Sequence, residues 1–343
     1  MEKVIFVVHT EYHLMETIGY ITHYFPNTLY DIYVFIVSVK NGGRIKTSDL
    51  NFKNLNININ IVTAAYEPNS YFSLHNKRML GNIINLNPNY LFIFNDFHYW
   101  KQYLVSKLHK KGCKIILAPD GAHVYSDKKF TLKSNLKYMI KSFLINFTNL
   151  TIPPFIINRG KYDYAYLKHI DEVWVDNAIL FKNRNNHKVI ETLSFGESDS
   201  ITNIKKVYKA ENLNIVDNCI FFIDQPADDI SLTNEIIDAI NYVANKTKRP
   251  VYVKMHPNSP RYVSDIYKQN GFIVLPNNLP AELYIQNLRD SIILSLFSTA
   301  LFLNNKTCRF YWIYPIFNVY RTTLKLNNPT RHIVVVNNQS EIN

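Results

Sequence analysis

Glycine and cysteine are both scarce in this chain of 343 residues, which contains 9 glycines and 3 cysteines. Because average proteins contain roughly 7% glycine, a protein built on glycine-rich phosphate-binding loops is not indicated. Cys113, Cys219 and Cys308 are widely spaced and form no C-x-x-C pair, so no metal site of that kind is predicted. A sparse, odd set of cysteines is typical of a reducing cytoplasm.

Signatures of several enzyme classes are also missing. The chain has no Walker motif, no G-x-G-x-x-G, no G-x-S-x-G nucleophile elbow and no H-E-x-x-H motif. Asp228-Asp229 lacks the D-x-D spacing of metal-using sugar transferases, so we predict no catalytic metal and no cofactor.

Long apolar runs are absent as well. No uncharged run reaches the roughly 18 residues needed to span a membrane. The start of the chain, Met1-Glu2-Lys3 followed by Val4–Val8, is typical of a first strand and not of a signal peptide. We therefore expect a cytoplasmic protein.

Positive charge, in contrast, is in excess, with a formal net charge of +11 at pH 7. Such a protein would attract nucleic acid, an anionic membrane surface or an anionic substrate. A basic face that is simply exposed to solvent explains the charge equally well. The charges are spread along the chain and no DNA- or RNA-binding motif is present, so we expect no nucleic-acid partner.

Short apolar runs alternate with helical patterns through most of the chain. This rhythm predicts parallel sheets covered by helices, hence an α/β fold with two Rossmann-like domains facing a cleft. We expect a linker near 183–186 or 196–203, which divides the chain into domains 1–190 and 191–343. GT-B glycosyltransferases have this architecture, and two-domain binding proteins and some epimerases share it, so the fold alone does not identify the function.

Residues 128–149 have the pattern of a basic amphipathic helix. Apolar residues such as Leu132, Leu136 and Ile140 recur at helical spacing, with lysines between them. Such a helix either packs on its own core or rests on a membrane surface. Peripheral contact with the inner membrane face is therefore an alternative to a purely cytoplasmic location.

Three polar motifs stand where predicted strands end. Ligands of open α/β sheets lie outside the carboxyl ends of the strands, so these motifs could meet one substrate. An aspartate there can act as a general base, a histidine can stabilise a departing anion, and a hydroxyl pair that caps a helix can bind phosphate. An ordinary turn or cap explains each motif when it is taken alone, and their order is the informative feature. The motifs are Asp120-Gly121 after 114–118, His256-Pro257 after 251–255 and Ser298-Thr299 after 292–296.

Further candidates lie at other strand ends. Lys254 could add positive charge beside His256, and Glu282 either accepts hydrogen bonds from ribose hydroxyls or is an ordinary first-turn helix residue. The candidates for sugar or acceptor contact are Thr10, Tyr12, His13, Asn95, Asp96 and Gly121, and Arg44 lies in a loop where acceptor recognition is conceivable.

The ordered motifs resemble those of the bacterial GT-B sialyltransferases, a group that includes capsular polysialyltransferases and lipooligosaccharide sialyltransferases. That group carries an acidic-Asp-Gly motif, a His-Pro motif and a Ser-Ser/Thr motif in the same order. The matching segments here are 119–121, with Pro119 at the first acidic position, 254–257 and 297–299. The segments 10–13 and 280–282 are similar to the family's N-terminal loop and to its nucleotide-binding Glu segment.

The resemblance implies an inverting, metal-independent transfer of sialic acid from CMP-N-acetylneuraminic acid. The acceptor would be a galactose-terminated glycan of the cell envelope, such as O-antigen, capsule or lipooligosaccharide, in free or lipid-linked form. Asp120 would act as the base and His256 would stabilise the leaving phosphate. Donor contacts would come from Lys254, Pro257, Glu282, Ser298 and Thr299, which places the donor in the C-terminal domain and the acceptor in the N-terminal one.

Other functions stay open at this point. The same motifs could serve transfer of another CMP-linked nonulosonic acid or of Kdo. A CDP-glycerol glycerophosphotransferase would share the two-domain fold, the Lys-x-His-Pro segment and a hydroxyl-rich loop. A non-enzymatic nucleotide-sugar binding or scaffold protein of capsule assembly is a third alternative, and the nucleotide bound and its turnover distinguish the three.

Overall fold

Two parallel β-sheets organise the chain in the computed structural model, one in each of two units, residues 1–207 and 208–343. The predicted α/β fold with two Rossmann-like domains is thereby confirmed. The structure describes residues 1–25, 29–39, 45, 47–55, 57–66, 74–96, 98–125, 136, 140, 164–183, 185–192, 198–210, 213, 215–226, 229–323, 328 and 330–343.

The first sheet has the strand order β3-β2-β1-β4-β5-β6-β7, and all of its neighbouring strands are parallel. Its strands are β1 (Glu2–Val8), β2 (Tyr30–Val39), β3 (Ile59–Tyr66), β4 (Tyr90–Ile93), β5 (Lys114–Leu117), β6 (Glu172–Val175) and β7 (Lys188–Glu191). The helices described with it are α1 (Glu11–Tyr24), α2 (Leu74–Asn85), α3 (Tyr99–His109) and α4 (Ser198–Tyr208).

Aromatic side chains join helix α1 to the centre of the first sheet. Phe6 on β1 stacks on Phe92 of β4 at 4.5 Å between ring centroids, and Trp174 of β6 meets Phe92 edge-on at 5.0 Å. Tyr20 on α1 meets the same indole at 5.1 Å. Burial of each such ring contributes roughly 2–3 kcal/mol, so this cluster fixes α1, and the loop before it, against the sheet.

The second sheet has the order β10-β9-β8-β11-β12-β13 and is also parallel. Its strands are β8 (Ile220–Ile223), β9 (Val251–Lys254), β10 (Ile273–Val274), β11 (Ile292–Ser295), β12 (Arg309–Trp312) and β13 (Ile333–Val335). Its helices are α5 (Ile230–Thr247), α6 (Arg261–Gln269), α7 (Ala281–Ile285) and α8 (Asn318–Thr323).

The strand order reverses direction once in each sheet. In the first sheet the reversal lies between β1 and β4, and in the second it lies between β8 and β11. At the reversal, the connections that leave the two adjacent strands run to opposite faces of the sheet. A crevice therefore opens at the carboxyl ends of those two strands. The fold therefore provides one candidate ligand edge in each unit.

The unit boundary differs from the one expected at 190/191, a point that lies inside β7. Strand β7 pairs with β6 over four residues and so belongs to the first sheet. The expected linker near 196–203 falls partly on α4, whose Asn203 amide donates to the Thr22 hydroxyl on α1. The first unit therefore extends to Val207.

The amphipathic segment 128–149 lies outside the described residues except at two positions. Leu136 and Ile140 have helical backbone and are 60% and 55% exposed. The loop around Arg44 also lies outside them. Among the residues that are described, no helix is both long and apolar enough to cross a membrane.

Candidate active site

Three neighbouring strands of the first unit end in polar residues that the sequence singled out. Thr10 follows β1, Asn95 follows β4 and Asp120 follows β5. Since β1 and β4 flank the point where the strand order reverses, these residues lie at the edge where such sheets bind ligands. Gly121 comes next with a φ of 75°, which favours glycine and lets the chain turn directly after Asp120.

The Asp120 carboxylate accepts a hydrogen bond on each of its oxygens. His13 Nε2 lies 2.6 Å from Oδ1, and Asn95 Nδ2 lies 3.0 Å from Oδ2. The side chain is 21% exposed. Because each carboxylate oxygen has two lone pairs, both oxygens can still accept from a further hydroxyl. A carboxylate held in this way is suited to act as a general base.

Two opposing effects set the pKa of Asp120. Burial raises it, because the ionised form loses its hydration. His13, the Lys101 ammonium and the Asn95 amide outweigh burial and hold the pKa below its usual value. Asp120 is therefore ionised at neutral pH.

His13 is buried and is directed at Asp120, although the sequence proposed it as a sugar or acceptor contact. Its side chain is 1% exposed, and its ring stacks on Phe94 at 4.3 Å between centroids. The Thr10 hydroxyl caps α1 by accepting from the His13 backbone N–H. The backbone N–H of His9 donates to His13 Nδ1 at 3.3 Å. Since Nδ1 accepts, the ring proton is on Nε2, and the hydrogen bond runs from His13 to Asp120.

Lys101 on α3 is a component of this edge that sequence reasoning missed. Its side chain is fully buried, and Nζ donates to Asn95 Oδ1 at 2.6 Å. Burial lowers the pKa of Lys101 to about 7, although Asp120 and Asp96 oppose that shift. Nothing in the sequence around Lys101 separates it from the solvent-facing lysines that are usual on helices.

Asp96 was proposed from the sequence as a sugar contact. In the structure its side chain is buried and binds the backbone of the segment that precedes β6. It is fully buried, and its Oδ2 accepts from the backbone N–H groups of Tyr166 and Leu167 at 2.9 and 3.3 Å. Burial raises its pKa to about 7 against those hydrogen bonds. Tyr12, the remaining candidate at this edge, is half-buried at the start of α1.

In the second unit, Asp224 organises the His-Pro segment and was also missed by sequence reasoning. It follows β8, next to the strand that precedes His256. Its Oδ2 accepts from Ser259 Oγ and, at 3.4 Å, from the His256 backbone N–H, while Oδ1 accepts from the Tyr267 hydroxyl at 3.0 Å. Burial raises the pKa of Asp224 against these hydrogen bonds. The loop after β9 is thus tied to the end of β8.

The orientation of the His256 ring follows from its own loop. The backbone N–H of Asn258 donates to His256 Nδ1 at 3.1 Å, so the ring proton is on Nε2. His256 is half-buried and the adjacent Pro257 is exposed. The ring therefore carries a donor at Nε2 that can serve a phosphate oxygen.

Lys254 and Glu282 are both buried, and the charge of Lys254 acts on the Glu282 carboxyl group. Lys254 is 5% exposed and donates to Asn277 Oδ1 at 3.0 Å. Glu282, at the start of α7, is 7% exposed. Burial raises the pKa of Glu282 to about 7, and the Lys254 charge opposes this shift.

Ser298 and Thr299 follow β11, and the first of them caps a short 3-10 turn, Thr299–Phe302, in place of the α-helix expected there. Ser298 Oγ accepts from the Ala300 N–H at 3.2 Å, and the Ser298 N–H donates to Ser295 Oγ. Ser295 Oγ in turn donates to the Ile223 carbonyl of β8 at 3.0 Å. Ser298 is thereby fixed to β11 and β8, the two strands that flank the reversal of the second sheet, and Thr299 follows it directly.

Glu282 should also affect stability, with a defined pH dependence. The folded protein binds this proton with a pKa near 7, against 4.5 for an ordinary glutamate, so the free energy of unfolding falls as pH rises between these values. We expect Glu282→Gln to raise the unfolding free energy at pH 8 by up to about 3 kcal/mol. At pH 4 we expect no gain. Urea denaturation at both pH values measures the difference, and an equal effect at both would contradict the assignment.

No cluster of three or more histidine, cysteine, aspartate or glutamate side chains that could hold a metal ion occurs in the described part of the chain.

Comparison with solved structures finds the same architecture in nucleotide-sugar proteins. A UDP-GlcNAc 2-epimerase from Methanocaldococcus jannaschii aligns over 100% of this chain and 90% of its own, with 11% identity and a TM-score of 0.57. Staphylococcus aureus MnaA, in a co-structure with UDP, aligns over 88% of this chain and 76% of its own, with 10% identity and a TM-score of 0.53. At this identity the likeness concerns the fold.

Comparison with protein families is more specific. The model of the family described as alpha-2,8-polysialyltransferase matches residues 5–309. That range includes all three of the motifs in the order Asp-Gly, His-Pro and Ser-Thr. A search of curated proteins found no match.

Proposed function

Because the chain belongs to the alpha-2,8-polysialyltransferase family, and is therefore a glycosyltransferase of the sialyltransferase type, we propose that it uses CMP-N-acetylneuraminic acid as its donor. The transfer inverts the anomeric centre and needs no metal ion. The donor binds the carboxyl edge of the second sheet, and the acceptor hydroxyl meets Asp120 of the first unit.

The observation that carries this proposal is the state of the Asp120 carboxylate. Two donors fix its plane, a pKa below the usual value keeps it ionised, and 21% exposure leaves it open to a substrate. As the acceptor oxygen forms its bond to the anomeric carbon, its proton passes to Asp120. The bond between that carbon and the phosphate oxygen breaks, and CMP leaves with the bonding electron pair.

The second unit supplies groups that match a nucleoside monophosphate. His256 donates from Nε2 to the phosphate oxygen on which negative charge develops, and the Lys254 ammonium adds to the local positive potential. Ser298 and Thr299 bind the same phosphate, and Glu282 accepts from ribose hydroxyls. The absence of glycine-rich loops is consistent with a phosphate site built from side chains.

Two acceptors are worth separate tests. A terminal galactose is the acceptor implied by the motif resemblance. Membership of the alpha-2,8-polysialyltransferase family favours a terminal sialic acid, to which further residues would be added in series. Asp120 can take the proton of a galactose hydroxyl or of a sialic acid hydroxyl, so the first-unit geometry suits both.

An assay with several donors and acceptors tests the proposal. The protein is incubated in EDTA with CMP-N-acetylneuraminic acid, CMP-Kdo, CDP-glycerol or UDP-N-acetylglucosamine, together with β-galactosides or α2,8-linked oligosialic acid. We expect a mass gain of sialic acid units from the first donor, and the acceptor that is extended identifies the specificity. Turnover confined to CDP-glycerol would contradict the donor assignment, and loss of activity in EDTA would contradict metal independence.

A further inference from the structure

The hydrogen bonds around Asp120 all run in one direction. On one side, the His9 N–H donates to His13 Nδ1, and His13 Nε2 donates to Asp120 Oδ1. On the other side, Lys101 Nζ donates to Asn95 Oδ1, and Asn95 Nδ2 donates to Asp120 Oδ2. Both sides therefore end on Asp120, whose carboxyl group accepts without also donating only when it is ionised.

Lys101 helps to determine which way the Asn95 amide points. An amide can be turned by 180°, which exchanges its donor and its acceptor. In its charged form Lys101 only donates, so Asn95 then presents Oδ1 to Lys101 and Nδ2 to Asp120. Without Lys101, the Asp120 carboxylate alone would hold the amide in this orientation, and Asn95 Oδ1 would lose its buried donor.

Burying Lys101 costs free energy, and the packing of α3 does not require a charged side chain at this position. A fully buried lysine loses the hydration of its charge, and such residues are rare unless they are paired. An apolar side chain of the same length would fit α3 without that cost. Lys101 is connected to Asp120 through a single residue, Asn95. A buried ionisable group connected in this way to a second one is typical of functional sites.

We propose that Lys101 is a positioning residue of the transfer reaction, which acts through Asn95 to keep the Asp120 carboxylate ionised and correctly oriented. This role rests on the proposed function of Asp120 as the base. Lys101 itself is buried and does not contact the substrate.

Other titratable groups also act on this network and must be considered in any pH experiment. They come from the end of β1, from α1, from the end of β4, from the residue that precedes α3 and from the segment before β6. These groups are His9, His13, Asp96, His98 and Tyr164. His98 is neutral at physiological pH, since burial and the Lys101 charge lower its pKa to about 3.

The variant Lys101→Met tests the proposal, because methionine replaces the buried stem and removes the charge. We expect the pKa of Asp120 to rise by about one unit, since a nearby opposite charge is lost. Carboxyl 13C NMR of aspartate-labelled protein measures it in the free protein, with the Asp120 signal assigned by its loss in Asp120→Asn. We expect kcat to fall by up to about 100-fold with little change in donor KM, and the acid limb of the pH–rate profile to move to higher pH.

Lys107→Met is the matched control, because it removes the same charge from the same helix at a half-buried position beside Tyr103. It should leave both the Asp120 titration and kcat unchanged. Asn95→Asp is a second variant, which keeps an acceptor for Lys101 but removes the donor to Asp120. It should raise the pKa of Asp120 as well.

The outcomes separate the inference from the function on which it rests. An unchanged Asp120 titration in Lys101→Met would overturn the positioning role, whatever the activity. A raised pKa of Asp120 in a protein that transfers no sugar from any donor would support the coupling of Lys101 to Asp120 and overturn the proposed function. A raised pKa with wild-type kcat and an unmoved acid limb would also overturn the positioning role.

Discussion

Asp120→Asn should reduce kcat for sialyl transfer by about 10²- to 10⁴-fold, the usual contribution of a general base. The asparagine is nearly the same shape, but its amide cannot take the acceptor proton. CMP affinity should be unchanged, since the donor groups lie in the second unit. Steady-state kinetics and calorimetric titration with CMP measure the two quantities.

The same variant should also lose stability, because of the direction of the hydrogen bonds. The NH2 group that the substitution introduces would face another donor, either His13 Nε2–H or Asn95 Nδ2–H. His13 cannot present an acceptor instead, because its Nδ1 already accepts from the His9 N–H. Asn95 cannot do so either, because its Oδ1 already accepts from Lys101 Nζ. One unsatisfied buried donor costs about 1–3 kcal/mol. Asp265→Asn, which removes a charge from a side chain that is 69% exposed, is the control. Wild-type kcat in Asp120→Asn would exclude Asp120 as the base.

His256→Ala should reduce kcat/KM for the donor by about 10²- to 10³-fold, the usual effect of removing one donor to a developing anion. The ring carries its proton on Nε2, because Nδ1 accepts from the Asn258 N–H. CMP affinity should fall as well, since the product keeps the same phosphate. This separates His256 from Asp120, whose loss leaves CMP binding intact.

His256→Gln should recover part of the activity, because its side-chain NH2 can donate to the phosphate near the position of Nε2. His109→Gln, at a histidine whose side chain is 38% exposed in the first unit, is the matched control and should behave as the wild type. Equal losses in His256→Ala and His256→Gln would argue against a hydrogen-bonding role.

The strand ends could be predicted because their residues are local in sequence. An apolar run such as Val4–Val8 is buried on both sides of the sheet, and the polar residues after it fall at its carboxyl edge. The sequence therefore placed Asp120 and Asn95 at strand ends. The strand order of the structure is what brings the ends of β1, β4 and β5 together.

Side-chain pairing across the sheet could not be predicted in this way. Lys101 lies on a helix beside Trp100 and Gln102, and only the packed structure shows that it is buried against Asn95. Asp224 is one carboxylate after an apolar strand, and its importance comes from Ser259 and Tyr267, which are distant in sequence. These contacts depend on tertiary packing, which local patterns do not encode.

Short outer strands were missed for a related reason. β7, β12 and β13 each have four residues or fewer. Equally short strands such as β8 and β11 are buried throughout and were predicted, whereas partial exposure at the outer positions of the two sheets weakens the apolar pattern. The expected domain boundary therefore fell within β7, where only pairing with β6 shows that the first sheet continues.

The most direct test follows the transfer itself by 1H NMR, with the protein, CMP-N-acetylneuraminic acid, an acceptor and EDTA in one tube. We expect consumption of the β-linked donor, release of an equal amount of CMP and formation of an α-linked sialoside, at a rate that falls by about 10²- to 10⁴-fold in Asp120→Asn. A β-linked product, or CMP release that Asp120→Asn leaves unaffected, would contradict the inverting mechanism with Asp120 as its base.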